Sequence, residues 1–207
     1  MIKICITLDD VLRAKTKQFG VVYKKFIDND IDLGLLDLHT NDLMTIFGFK
    51  SKKEFHKFLY EDYAFEIFAE APATESGVDK KLNLWHLSLN DDDEIDDELD
   101  LMIANPMEFN ASIGYTYFFL SKMATRVREI YLPSDSLSIL DRCDIIITSD
   151  PKLLSNIKKN QVGVKINMDY NSNISSENIV EYKSLNEFIS NSNNLREIIN
   201  KFKKINQ

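Results

Sequence analysis

Two short stretches of this sequence carry the residue types that hold metals and phosphates: "TLDDVLR" at 7–13 and "TSDPK" at 148–152. Each closes an apolar run, and each leads at once into a helix-like stretch. Adjacent carboxylates such as Asp9 and Asp10 are hard oxygen donors of the kind Mg²⁺ prefers. A strand-to-helix junction also suits phosphate, because a helix N-terminus presents free N–H groups to an anion. The same residues have a plainer use. Asp9 can cap the first helix, with Asp10 favouring its dipole. Asp150 before Pro151 suits an N-cap, and Thr148 and Ser149 can hydrogen-bond the following turn.

The elements that must position these clusters are strands and helices in alternation. "MIKICIT", "EIYLP", "CDIIITS", "VGVKIN" and "NIVEY" read as short, mostly buried strands. After Asp9, the spacing of Leu12, Phe19, Val22, Tyr23 and Phe26 predicts a helix with one buried stripe. "KMATRVR" is expected as a short helical link and "DSLSIL" as a helical turn. "YTYFFLS" (115–121) fits either a strand or a helix end, since short apolar runs do not separate the two. Ser184 with Glu187 forms a capping box, and the last 20 residues form a helix broken near Ser192. Buried strands separated by helices predict an α/β domain with a mainly parallel sheet, ligands binding at the carboxyl ends of its strands.

Residues 35–105 do not follow this alternation. They contain the aromatic-rich "FHKFLYEDYAFEIFAE", a second capping box at Ser51 and Glu54, the alternating "KLNLWHLSLN" and the acidic "DDDEIDDELD". The expectation is two regions: a core of 1–34 and 106–207, and a mostly helical inserted subdomain, 35–105, with an acidic loop at 91–100. The aromatic stretch reads as subdomain core rather than a base-stacking surface, having few basic residues among its rings. The acidic run reads as a solvated loop or a docking segment for a basic partner. His39, His56 and His86 share no ligand-like spacing.

Composition narrows the function classes. The 207 residues carry a formal net charge of -8, which argues against nonspecific nucleic-acid binding. Two cysteines, Cys5 and Cys143, are too few for a disulfide framework and sit in or beside apolar runs, as buried thiols do. No apolar stretch approaches the roughly 20 residues of a membrane span, and the N-terminus runs straight into a strand. A reducing, cytoplasmic setting is expected.

"CITLDDVLRAK" resembles the first motif of the haloacid dehalogenase-like (HAD) superfamily, hhhDxDGVLR with h apolar. "CDIIITSDPKLL" resembles the fourth motif of its 5'(3')-deoxyribonucleotidase-like branch, and "FFLSK" the second, an apolar strand ending in Ser or Thr. The insertion lies where that family places a helical cap. The resemblance implies a HAD-like, Rossmannoid α/β fold. It puts the nucleophilic aspartate at Thr7, the general acid/base at Asp9 and the motif's glycine at Asp10. The second-motif hydroxyl falls on Ser121, with Ser134 as the rival. The fourth-motif acids fall on Thr148 and Ser149, with Asp150 one step late. The third-motif lysine has no match, leaving Arg126, Arg128 or Arg142 to supply charge.

Those departures have consequences. The family chemistry needs a carboxylate to attack phosphorus, and Mg²⁺ needs carboxylate oxygens. The expectation is therefore a catalytically degenerate HAD-like protein. Its role would be a structural or protein-binding subunit of a larger assembly with other protein subunits and no cofactor. The Asn-, Lys- and Ile-rich composition suggests a bacteriophage virion or connector component. The alternative is a Mg-dependent phosphohydrolase of nucleoside monophosphates, with Asp9, Asp10 and Asp150 holding the metal in a shifted register.

Overall fold

The computed structural model describes residues 1–36, 40–91, 95–106 and 110–207, with only the backbone at 110 and 111. His39 and three residues of the acidic run, 92–94, lie outside the described residues. In chain order, β1 (Ile2–Thr7) leads to the helices α1 (Lys15–Phe26), α2 (Leu43–Ile46), α3 (Lys52–His56) and α4 (Val78–Ser88). Then come β2 (Leu99–Ala104), α5 (Asn110–Lys122), β3 (Glu129–Tyr131), β4 (Ile145–Thr148), α6 (Pro151–Leu154), β5 (Val162–Ile166) and β6 (Ile179–Tyr182). The chain closes with α7 (Leu185–Ile189) and α8 (Ser192–Ile205).

The six strands form one sheet in the order β3-β2-β1-β4-β5-β6, every neighbouring pair parallel. Both faces are covered, so β1 is an almost unbroken apolar run. Its side chains alternate between two layers. Ile2, Ile4 and Ile6 pack with Leu82 and Trp85 of α4, Phe119 of α5, Phe188 of α7 and Ile198 of α8. Cys5 faces the opposite layer with Met102, Ile146, Leu153 of α6, Cys143, and Ile139 of the 3-10 turn Ser136–Arg142. Both thiols are buried and unpaired. The strand order reverses between β1 and β4, which opens a crevice at their carboxyl ends.

A second core lies outside the sheet. Phe19 and Val22 of α1 pack with Leu43, Phe47, Phe58, Leu59, Ile67 and Phe68. The Phe19 ring stands 4.9 Å from Phe47 and 5.1 Å from Phe58, centroid to centroid. Gly20 permits this approach: a Cβ there would meet Leu33 Cδ2 at 3.3 Å. The chain leaves the sheet region beside Arg13 and returns beside Ala73, and the two passages bridge each other. Ala14 N–H donates to the Pro72 carbonyl at 2.9 Å and Thr74 N–H to the Leu12 carbonyl at 3.0 Å.

The expected boundaries of the insertion therefore shift at both ends. Helix α1 was expected with the core at 1–34, but it buries its stripe among the insertion's aromatics. At the other end, α4 and β2 fall inside the expected 35–105 segment, yet both belong to the sheet and its covering layer. "KLNLWHLSLN" looked strand-like because its leucines alternate. The buried set is Leu82, Trp85 and Leu89, spaced for one helix face, while Leu84 and Leu87 are exposed. Leu99 and Asp100, read as loop, start β2. "YTYFFLS" is helix, and "KMATRVR" is not: α5 ends at Lys122 and Ala124 turns into the left-handed region at φ 47°.

Candidate functional site

The two sequence clusters meet at the switch point. Thr7 is the last residue of β1 and Thr148 the last of β4. Both are buried, and the Thr7 hydroxyl donates to Thr148 Oγ1 at 2.9 Å. Ser149 Oγ donates to the Asp9 carbonyl at 3.4 Å, and Asp150 N–H to Thr148 Oγ1 at 3.1 Å. The polar oxygens at the two strand ends thus satisfy one another.

Asp9 is the most heavily bonded residue of the site. Its Oδ1 accepts from Arg13 Nε at 2.8 Å and Nη2 at 2.5 Å. Its Oδ2 accepts from Lys15 Nζ and Asn105 Nδ2, both at 3.0 Å. Four donors fill the capacity of a carboxylate. Burial by itself would raise the Asp9 pKa, but the Arg13 and Lys15 charges and their hydrogen bonds outweigh it and hold the group at about 2. Arg13 is fully buried, its guanidinium between the Phe68 and Phe119 rings at 5.2 and 5.5 Å. Its Nη1 also donates to the Phe68 carbonyl at 3.1 Å and to Thr116 Oγ1 at 3.0 Å.

Asp10 occupies the left-handed region, φ 58°, where the resembled motif has glycine; aspartate is one of the few other residues that tolerate it. This turn swings its carboxylate onto α1. Oδ1 accepts from Thr16 N–H at 2.9 Å, while Oδ2 accepts from the Thr16 hydroxyl at 2.5 Å and the Tyr170 hydroxyl at 3.3 Å. Burial raises the Asp10 pKa, and burial likewise raises that of Asp150. Asp150 caps α6, accepting from Lys152 N–H at 2.8 Å, the plain structural use its sequence position suggested. Burial and the neighbouring Asp10 charge push the Tyr170 phenol far above its ordinary value.

A cavity of about 130 Å³ lies among Thr7, Asp9, Asp10, Lys15, Asn105, Ser149, Asp150 and Tyr170. It adjoins a larger, mostly apolar one of about 400 Å³ between the insertion and the sheet, lined by Leu33, Leu36, Phe47, Met168 and, in common with the first, Asp10, Thr16 and Tyr170. Five residues here escaped the sequence reading or had no role in it. Asn105 takes the place expected of Ser121: it directly follows β2, the strand beside β1, whereas Ser121 is an exposed residue near the end of α5. Ser134 is exposed in a loop. The signal for Asn105 was the apolar run "LMIA" that it closes, hidden by the acidic run before it. Lys15 is the cation that lines the smaller cavity, beside the buried Arg13, while Arg126, Arg128 and Arg142 are exposed and line neither cavity. Arg13 matches the arginine of the resembled first motif and stands four residues after Asp9, but no role had been read for it. Tyr170 and Asn171 had no local signal. Asn171 Nδ2 donates to the Ser149 and Ile166 carbonyls, both at 2.9 Å, and this holds Tyr170 over the site. The turn is braced from below by buried Lys165, whose Nζ donates to the Ile174 carbonyl at 2.8 Å and pairs with Glu181 at 2.9 Å.

Mg²⁺ does not fit this donor set. It demands carboxylate or water oxygens in near-octahedral array. The strand ends offer Thr7, Thr148, Ser149 and Asn105, and the Asp9 carboxylate is already filled. Asp10 is turned to Thr16 and Tyr170, and Asp150 to α6. Among the described residues, no three His, Cys, Asp or Glu side chains converge as metal ligands.

No family model matches the sequence, and no significant match appears among the curated proteins. Solved structures do match. A haloacid dehalogenase-like hydrolase from Burkholderia xenovorans LB400 aligns over 94% of this chain and 98% of its own, with a TM-score of 0.53 and 11% identity. A haloacid dehalogenase-like family hydrolase from Xanthomonas campestris aligns over 99% and 98%, with a TM-score of 0.50 and 10% identity. At such identities the likeness is one of fold: the chain adopts the parallel α/β architecture of HAD-like hydrolases.

Proposed function

We propose that this chain is a HAD-like protein without phosphoryl-transfer activity, acting as a structural or protein-binding subunit of a larger assembly. The observation that carries the first half of this reading, the absence of phosphoryl transfer, is the pairing of Thr7 with Thr148; the role in an assembly is what remains for such a scaffold. The atom that should attack phosphorus is a hydroxyl, and its neighbour is a second hydroxyl rather than a base. A threonine without an adjacent base is a weak nucleophile. Asp9 supports the same reading, since a carboxyl held at about 2 has no proton to give near neutral pH. The rival reading, a Mg-dependent phosphohydrolase of nucleoside monophosphates, needs Asp9, Asp10 and Asp150 to converge on one ion. All three line the smaller cavity, but their carboxylates are hydrogen-bonded to different partners, Asp9 to Arg13 and Lys15, Asp10 to Thr16 and Asp150 to the Lys152 N–H.

The test is phosphate release from p-nitrophenyl phosphate and from nucleoside monophosphates, with and without Mg²⁺. The expected result is no release above the blank, and at most partial recovery in Thr7→Asp. Wild-type turnover that Asp9→Asn abolishes would overturn the proposal.

A further inference from the structure

The insertion is fixed to the sheet by a charge that the chain itself carries. Lys15 is the first residue of α1, the helix whose buried stripe belongs to the insertion's aromatic core. Its ammonium lies 3.0 Å from Asp9 Oδ2 and over the Phe68 ring at 5.6 Å. Arg13 completes the charge on the other oxygen, 2.5 Å from Oδ1. A divalent ion on Oδ2 would have to stand beside that ammonium, or displace it. At the strand ends, the oxygens that could bridge β1 and β4 through a metal are bridged directly, Thr7 to Thr148 and Ser149 to the Asp9 carbonyl. With carboxylates at both strand ends, like-charge repulsion would demand a cation. Hydroxyls remove the demand.

We infer that this strand-end site is a metal-free clasp, with Lys15 as its resident cation tying the helical insertion to Asp9 of the sheet. The inference deepens the proposed function and rests on the same reading of Thr7, but it is tested separately. Turnover without bound metal would overturn the proposed function and leave the clasp standing. Metal binding without turnover would do the reverse.

The direct measurement is a Mn²⁺ titration of the wild-type protein followed by electron paramagnetic resonance. The expected spectrum is that of the free aqueous ion, with a melting temperature indifferent to Mg²⁺ and to EDTA. A bound-Mn²⁺ signal that Asp9→Asn removes overturns the inference. Lys15→Met is expected to lower the melting temperature by about 3 °C or more, with Lys15→Arg restoring most of the loss. A Lys15→Met protein that melts with the wild type overturns the role of Lys15. Thr7→Asp with Thr148→Asp is expected to gain a bound-Mn²⁺ signal. A folded double variant without one would show that carboxylates at the two strand ends create no demand for a metal, and would overturn that part of the argument.

Discussion

Asp9 combines two opposing forces on one carboxylate. Burial favours the neutral acid, yet Arg13 and Lys15 hold the anion with a pKa of about 2 against an ordinary 3.8. A group depressed in the folded state contributes its stability above the unfolded value and loses it as pH falls through the folded one. The window is therefore from about 4 down to about 2, and the contribution is on the order of 2 kcal/mol. At Asp10 and Asp150 the same burial prevails, and their raised pKa values make them weak points at neutral pH that protonation relieves. Stability measured by urea denaturation from pH 7 downward is expected to hold until near pH 4 and then fall. Asp9→Asn is expected to lose stability at pH 7 and to show a flatter acid limb. An unchanged acid limb in that variant would place the loss elsewhere. The choice of Asp9 as the residue to examine was legible from its position after an apolar strand. Its saturation was not, because Asn105 lies 96 residues away.

At the scale of elements, α1 shows how a correctly read helix can be assigned to the wrong neighbour. Its stripe of Phe19, Val22 and Tyr23 is plain in the sequence, but periodicity says only that a face is buried, not against what. The Phe19 ring meets Phe47, Phe49, Phe55 and Phe58, all within 6.1 Å. Phe19→Ala is expected to cost about 3 kcal/mol or more, as a large aromatic lost from a packed core does. The loss should fall on the insertion. Limited proteolysis is expected to cut first between α1 and α4. The single tryptophan, Trp85, packs on Phe188 in the sheet's own layer, 5.9 Å between ring centroids, and its fluorescence is expected to stay native. Simultaneous loss of both signals would show one cooperative unit rather than two cores.

Taken as a whole, the molecule is an acidic α/β body with apolar residues left on its covering helices. Leu84 and Leu87 of α4 are exposed beside a groove of about 490 Å³ that Trp85, Leu89, Ile189 and Leu195 line. Among the described residues, no helix is long and apolar enough to cross a membrane. A subunit of an assembly is expected to run heavier than its 24.0 kDa chain in native mass measurements. A strict monomer at every concentration would remove that support from the proposed role.

By itself the sequence determined five of the six described strands, missing β2 beside β1, together with the order of the two polar clusters and the parallel α/β class. Each of these follows from residues close in the chain, through alternation, helical spacing and capping. The expectation that Thr7 stands where the family has its nucleophilic carboxylate came from the resemblance of the first motif, not from a local pattern. Only the tertiary structure decided that Thr7 bonds Thr148, 141 residues on, that Tyr170 closes over Asp10 from 160 residues away, and that α1 serves the insertion while α4 and β2 serve the sheet. The reason is physical. Local patterns fix which face of an element is apolar, whereas the partner of that face is set by the strand order and by how neighbouring side chains fill the space between layers.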